Sequence, residues 1–97
     1  MRTVIETPTF QKQADALWDD AEREDFIDFI AAEPDAGDVI SGADGARKVR
    51  WQRKGMGKRG GARVIYFHLV GDQVVLLVMV YAKAQRANAL PKDIKRS

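Results

Sequence analysis

The sequence predicts an α+β domain in which two N-terminal helices pack on a curved antiparallel sheet of three to four strands, with a short C-terminal helix or tail. Three observations predict it. Residues 1–46 carry helical spacing and helix caps, the apolar period drops to two from Ala46 onward, and the later strands are joined by short, glycine-containing segments. Such connections favour hairpins over crossovers. With 97 residues and 45% hydrophobic content, the chain suits one core, since a domain typically runs about 100 to 150 residues. Residues 1–97 therefore read as one domain.

Thr3-Val4-Ile5 is β-prone and able to add an edge strand. Thr7 is a helix cap and Pro8 suits a first turn, which predicts a helix over 8–17. A second helix begins near Asp19 or Asp20, where Asp19 and Glu22 approximate a capping pair and the early acids suit the helix dipole. Its buried stripe reads Ala21, Phe26, Phe29 and Ile30, with Ile27 at the border and Trp18 as a staple ahead of the cap. Pro34 stops it, and turns follow at 33–38 and 41–45.

Beyond Ala46, residues Arg47, Val49, Trp51 and Arg53 point one way and Lys48, Arg50, Gln52 and Lys54 the other, a strand with one strongly basic face. The loop 55–61 holds four glycines and leads to a strand near 62–70. Gly71-Asp72 is a two-residue hairpin signal, and 73–83 is a third strand, apolar on both faces and hence interior. The tail 84–97 is polar apart from Leu90 and Ile94, with Pro91 suited to open a short helix.

The charge pattern is more informative than its sum of +2. Residues 1–46 carry three basic and twelve acidic side chains, 3 − 12 = −9, whereas 47–97 carry thirteen and two, 13 − 2 = +11. Eight cations fall within the 17 residues from Arg47 to Arg63, with no acid among them. A patch kept only for solubility more often mixes both signs. Cations without acids suit a polyanion, because each phosphate contact releases a condensed counterion and speeds association.

Several classes of chemistry are excluded. The chain has no cysteine and one histidine, His68, so a disulfide scaffold, a thiolate zinc site and a cysteine nucleophile are ruled out, and neither a metal nor a cofactor is expected. Ser41 and Ser97 lie in a turn and at the end of the sequence, which disfavours a serine triad. Gly55-x-Gly57-Lys58 lacks the spacing and following Ser/Thr of a phosphate-binding loop. The longest apolar run, 74–82, has nine residues, far below the roughly 20 of a membrane-spanning helix. The first residues lack the apolar centre of a signal peptide, so a cytoplasmic protein without membrane contact is expected.

A basic surface suffices for one reaction. RNA cleavage needs a 2′-hydroxyl to attack its neighbouring phosphate, a group to take that proton, cations for the pentavalent charge and a donor for the leaving 5′-oxygen. Arginine stabilises such charge, and lysine serves as acid or base where nearby cations depress its pKa.

Three stretches carry a resemblance. Pro34-x-x-Gly37-Asp38-Val39-Ile40-x-Gly42-x-x-Gly45-x-Arg47-Lys48-x-Arg50, Lys54-Gly55-x-Gly57-Lys58-Arg59-Gly60-Gly61-x-Arg63-Val64-Ile65-Tyr66 and Val80-Tyr81-Ala82-Lys83 resemble the HigB-type branch of the RelE/ParE superfamily of toxins from type II toxin–antitoxin systems. The resemblance runs from Phe10 to about Ile94. It implies a RelE-like fold and a metal-independent, ribosome-dependent mRNA endonuclease that cuts the message in the A site of the 70S ribosome, leaving a 2′,3′-cyclic phosphate and a 5′-hydroxyl. It also implies a cognate antitoxin, in this branch a helix-turn-helix HigA-like protein, through which the pair binds operator DNA.

Carried onto matching positions, the family's catalytic residues fall on Lys48, Arg50, Arg63 and Lys83. Arg50 and Arg63 would stabilise the phosphorane, while Lys48 or Lys83 would move the proton. RelE places a catalytic tyrosine in its tail, but this sequence has no aromatic residue after Tyr81. Tyr81 or Tyr66 takes that part, or lysine alone does. Arg47, Arg53, Lys54, Lys58, Arg59 and Tyr66 are the expected RNA-binding residues. His68 and Trp51 read as packed side chains. Two other readings stay open: a ParE-like inhibitor of DNA gyrase, which shares the fold, and a non-enzymatic nucleic-acid-binding module.

Overall fold

The computed structural model describes residues 2–51 and 61–82. Strand β1 (Thr3–Glu6) leads into helices α1 (Pro8–Leu17) and α2 (Asp20–Ala32), then strands β2 (Asp38–Val39), β3 (Arg47–Trp51), β4 (Ala62–Leu69) and β5 (Val74–Ala82). The strands form one sheet in the order β1-β5-β4-β3-β2. This is the expected α+β class, with a larger sheet. The two-residue β2 raises the count to five, and β1 pairs parallel to β5, so the sheet is mixed rather than wholly antiparallel. The expected C-terminal helix or tail lies outside the described residues.

Both helices start on their expected caps. The Thr7 hydroxyl accepts from Phe10 N at 3.1 Å with Pro8 in the first turn, and the Asp19 carboxylate accepts from Glu22 N at 2.8 Å. Each bond satisfies an amide that a helix start leaves open. The stripe of α2 differs from expectation: Ala21 is exposed and Phe29 only half-buried, while Glu22 is buried with Phe26 and Ile30. Residues 22, 26 and 30 are four apart and form one row, from which residue 21 is turned by about 100°.

Two apolar layers sandwich the sheet. On the helix side, Phe10, Ala14, Trp18, Phe26 and Ile30 meet Val49, Ala62, Val64, Tyr66, Val75, Leu77 and Val80. On the other side, Ile65, Phe67, Val78, Met79 and Tyr81 gather with Ala43 and Ala46 of the 40–46 turn. The faces follow the pleat except at one bulge. Ile65 pairs with Met79 but Tyr66 pairs with Leu77, so Val78 is an extra residue in β5. A bulge breaks the ladder locally and shifts which side chains face which way. Side chains of α1 and its cap bond the strand here: Thr7 donates to Val78 O at 3.0 Å, and Gln13 Oε1 accepts from Val80 N at 2.9 Å.

The β4–β5 connection is not a two-residue hairpin. A single 3-10 turn spans Val70–Asp72, and Gln73, not a glycine, takes the left-handed conformation at φ 54°. Arg23 ties three elements together, since its guanidinium donates from α2 to Glu6 of β1 at 2.7 Å and to Asp15 of α1. No helix among the described residues is long and apolar enough to cross a membrane.

Candidate nucleic-acid interface

The register of three neighbouring strands assembles the site. Arg50 on β3 lies opposite Arg63 on β4, which lies opposite Tyr81 on β5; in an adjacent row Lys48 lies opposite Ile65, and Ile65 opposite Met79. Directly opposed residues share a face. The intervening row, Val49, Val64 and Val80, belongs to the helix-side core. Lys48, Arg50, Arg63 and Tyr81 therefore stand together on the face away from the helices.

The bulge is what puts Tyr81 there. Val75 and Leu77 face the helices, and an unbroken alternation would send Tyr81 to the same side. The extra Val78 reverses the phase, and Tyr81 arrives next to Arg63. Tyr81 is only 4% exposed, so it forms floor, whereas Arg50 is exposed and Lys48 and Arg63 are half-buried.

The Arg50–Arg63 pair is informative electrostatically. Like charges directly opposed in an antiparallel pair destabilise a sheet. A phosphate between two guanidiniums reverses that sign, because each planar fork donates to its oxygens. The opposite surface repels the same ligand: Asp20, Glu24, Asp25 and Asp28 are exposed on α2. The acids of α2 and the cations Lys48, Arg50 and Arg63 thus lie on opposite sides of the sheet, with Asp38 of β2 paired opposite Lys48 on the cationic side.

One expected RNA contact, Tyr66, is corrected, and a second, Arg47, lies on the helix side of the sheet. Tyr66 is 0% exposed and packs in the helix-side core, so it has no surface to offer RNA. Its hydroxyl donates to Pro34 O at 2.8 Å and accepts from Gly37 N at 2.9 Å, and burial raises the pKa of the phenol. Arg47 alternates with Lys48 and shares the side of Val49, where it donates to Gly37 O at 2.7 Å and lies 3.5 Å from the Asp35 carboxylate. Both serve the 34–37 turn behind β3. Lys83, Arg53, Lys54, Lys58 and Arg59 lie outside the described residues.

His68 is packed, with its side chain 5% exposed and Nδ1 2.7 Å from the Asp35 carboxylate. Trp51 packs against Phe26 and Phe29 at centroid distances of 5.4 and 5.2 Å. Asp35 was not legible as a partner of His68, 33 positions away. The hydrogen bond from His68 holds the Asp35 carboxyl below its ordinary value of 3.8. A depressed carboxyl pKa contributes stability that is full above the unfolded value and lost as pH falls through the folded one. Wild type should thus exceed Asp35→Asn in melting temperature at about pH 6, and the gap should shrink below about pH 4. A gap that stays constant on acidification in calorimetry would contradict this.

Among the described residues, no three His, Asp or Glu side chains gather to hold a metal ion. The geometry defines a class: a small α+β protein whose sheet carries Lys48, Arg50 and Arg63 together on the face away from its helices.

Known structures place that class more narrowly, although no family model matches the chain. It is similar to an arginine double mutant of the E. coli toxin RelE in the free state, at 15% identity and a TM-score of 0.62 over 89% of this chain and 87% of that one. It is similar to the intact E. coli RelBE toxin–antitoxin complex, at 16% identity and a TM-score of 0.60 over 82% and 94%. Isolated E. coli RelE gives 16% and 0.60 over 84% of each chain. The chain has the RelE fold.

Proposed function

We propose that this chain is the toxin of a bacterial toxin–antitoxin system and cleaves mRNA in the ribosomal A site. The observation that carries the reading is the row Arg50–Arg63 beside Lys48 on a sheet of RelE topology. The glycine-rich signature from Lys54 to Arg63 supports the HigB-type branch.

The 2′-oxygen attacks the adjacent phosphorus and the bond to the 5′-oxygen breaks, leaving a 2′,3′-cyclic phosphate and a 5′-hydroxyl. Arg50 and Arg63 carry the charge that develops on the phosphorane. Lys48 and Lys83 handle the two protons, one leaving the 2′-hydroxyl and one reaching the 5′-oxygen. The reaction requires no metal. Tyr81 supports this set from beneath, and Arg53, Lys54, Lys58 and Arg59 bind phosphates of message and ribosomal RNA.

Its antitoxin is a helix-turn-helix, HigA-like protein with an acidic segment for the cationic face, and operator DNA is bound only through the pair. The protein acts in the cytoplasm. Primer extension on mRNA from expressing cells tests the proposal: new 5′ ends should appear within codons, and purified protein should reproduce them on programmed 70S ribosomes. Growth arrest without new ends would instead favour gyrase, and RNA binding without arrest a plain binding module.

A further inference from the structure

We propose that Tyr66 is a positioning residue for the cleavage site: from behind the sheet, its buried hydroxyl fixes the 34–37 turn against the Lys48 peptide and so sets where Lys48 and Arg50 stand. The inference rests on the reading of those two residues as RNA contacts.

The turn touches β3 at the point that matters. A Cβ on Gly37 would come within 2.8 Å of the Lys48 carbonyl oxygen and 3.0 Å of Tyr66 Cε1, so only a glycine lets the turn lie this close without displacing something. Pro34 and Gly37 are both buried. Tyr66 satisfies one backbone group of each, donating to Pro34 O at 2.8 Å and accepting from Gly37 N at 2.9 Å. Arg47 closes the arrangement from β3 through Gly37 O at 2.7 Å, and His68 anchors the Asp35 side chain at 2.7 Å.

β3 needs such support because of its place in the sheet. Its outer neighbour, β2, pairs at only two positions, Asp38 with Lys48 and Val39 with Arg47. On its other side β3 pairs with β4 at all five positions, so its outer side is the weakly held one. The turn clamps that edge from the helix side, one peptide behind the residues that face the phosphate chain. Misplacement of a reacting group by about 1 Å costs on the order of 10²-fold in rate.

Tyr66→Phe keeps the ring and removes both hydrogen bonds. Single-turnover cleavage of mRNA on programmed 70S ribosomes should slow at least tenfold at saturating protein, with the half-saturating concentration within twofold of wild type. Gly37→Ala should shift the rate in the same direction. Phe10→Leu, a core change on α1, should lower the melting temperature and keep the saturated rate at a temperature where it is fully folded. A folded Tyr66→Phe that cuts at the wild-type rate, or loses no more than Phe10→Leu, overturns the proposal.

A second measurement needs no cleavage. In Tyr66→Phe, amide hydrogen exchange over Arg47–Trp51 should accelerate at least tenfold, while that over Val75–Val80 stays unchanged. Should the wild-type protein cut no RNA, the nuclease reading fails alone, and equal exchange in β3 sinks the positioning role by itself. Failure of Tyr66→Phe to fold would shift the decision to the same two measurements on Gly37→Ala.

Discussion

Replacing Arg63 with alanine is expected to slow message cleavage on programmed ribosomes by about 10²- to 10³-fold, the cost typical of removing one preorganised donor to a developing oxyanion. The same change should relieve growth arrest by at least tenfold. The fold should survive it, because Arg63 projects from the face away from the helices and the helix-side core is untouched. Removal also ends the direct opposition of Arg63 and Arg50, and the melting temperature should change far less than the rate. A loss of rate in a folded variant is what a general loss of structure cannot produce. Arg63→Lys keeps the charge but loses the planar fork, and it should recover only part of the rate. A folded Arg63→Ala that cleaves normally would remove Arg63 from the site. Combining it with Arg50→Ala should cost less than the product of the single effects, since on the proposed reading the two guanidiniums share one phosphate and residues acting as a unit are not additive.

The helices were legible because their ends are written in local chemistry. Thr7-Pro8 and Asp19-x-x-Glu22 fix both starts within a few residues, and the structure begins α1 and α2 there. The basic face of β3 was legible for a similar reason, since strict alternation separates Lys48 and Arg50 from Val49 once one face is apolar. Tyr81 was not legible as a neighbour of Arg63 by alternation, because its side depends on the extra Val78 opposite the Ile65–Tyr66 junction. Nothing in the run 74–82 marks that position. Tyr66 was ambiguous for a different reason: a tyrosine in an apolar strand suits either core or ligand, and what decides is whether its hydroxyl finds partners. Those partners, Pro34 O and Gly37 N, are backbone groups about thirty residues away. β2 escaped notice because two residues carry no period.

The largest expected loss of stability comes from Phe26→Ala. Phe26 is 0% exposed, and its ring lies 5.4 Å from those of both Trp18 and Trp51, with Phe29 at 6.3 Å. It is the ring through which α2 meets both the start of its own cap and the end of β3. Deleting a buried phenylalanine typically costs about 3–5 kcal/mol, part lost transfer energy and part residual cavity. A domain of this size holds only about 5–15 kcal/mol in all, so the variant should approach the limit of folding. Urea unfolding followed by tryptophan fluorescence reads it directly, because Trp18 and Trp51 are the two tryptophans of the chain and both touch the missing ring. The midpoint should fall with the slope unchanged, the signature of lost stability rather than an altered denatured state. Phe29→Ala is the control: Phe29 is half-buried and should cost less. A loss below about 0.5 kcal/mol in Phe26→Ala, typical of surface positions, would mean that α2 does not hold the sheet through this ring. The contrast with Arg63→Ala separates the two sides of the sheet, because one variant removes packing behind it and the other removes charge in front.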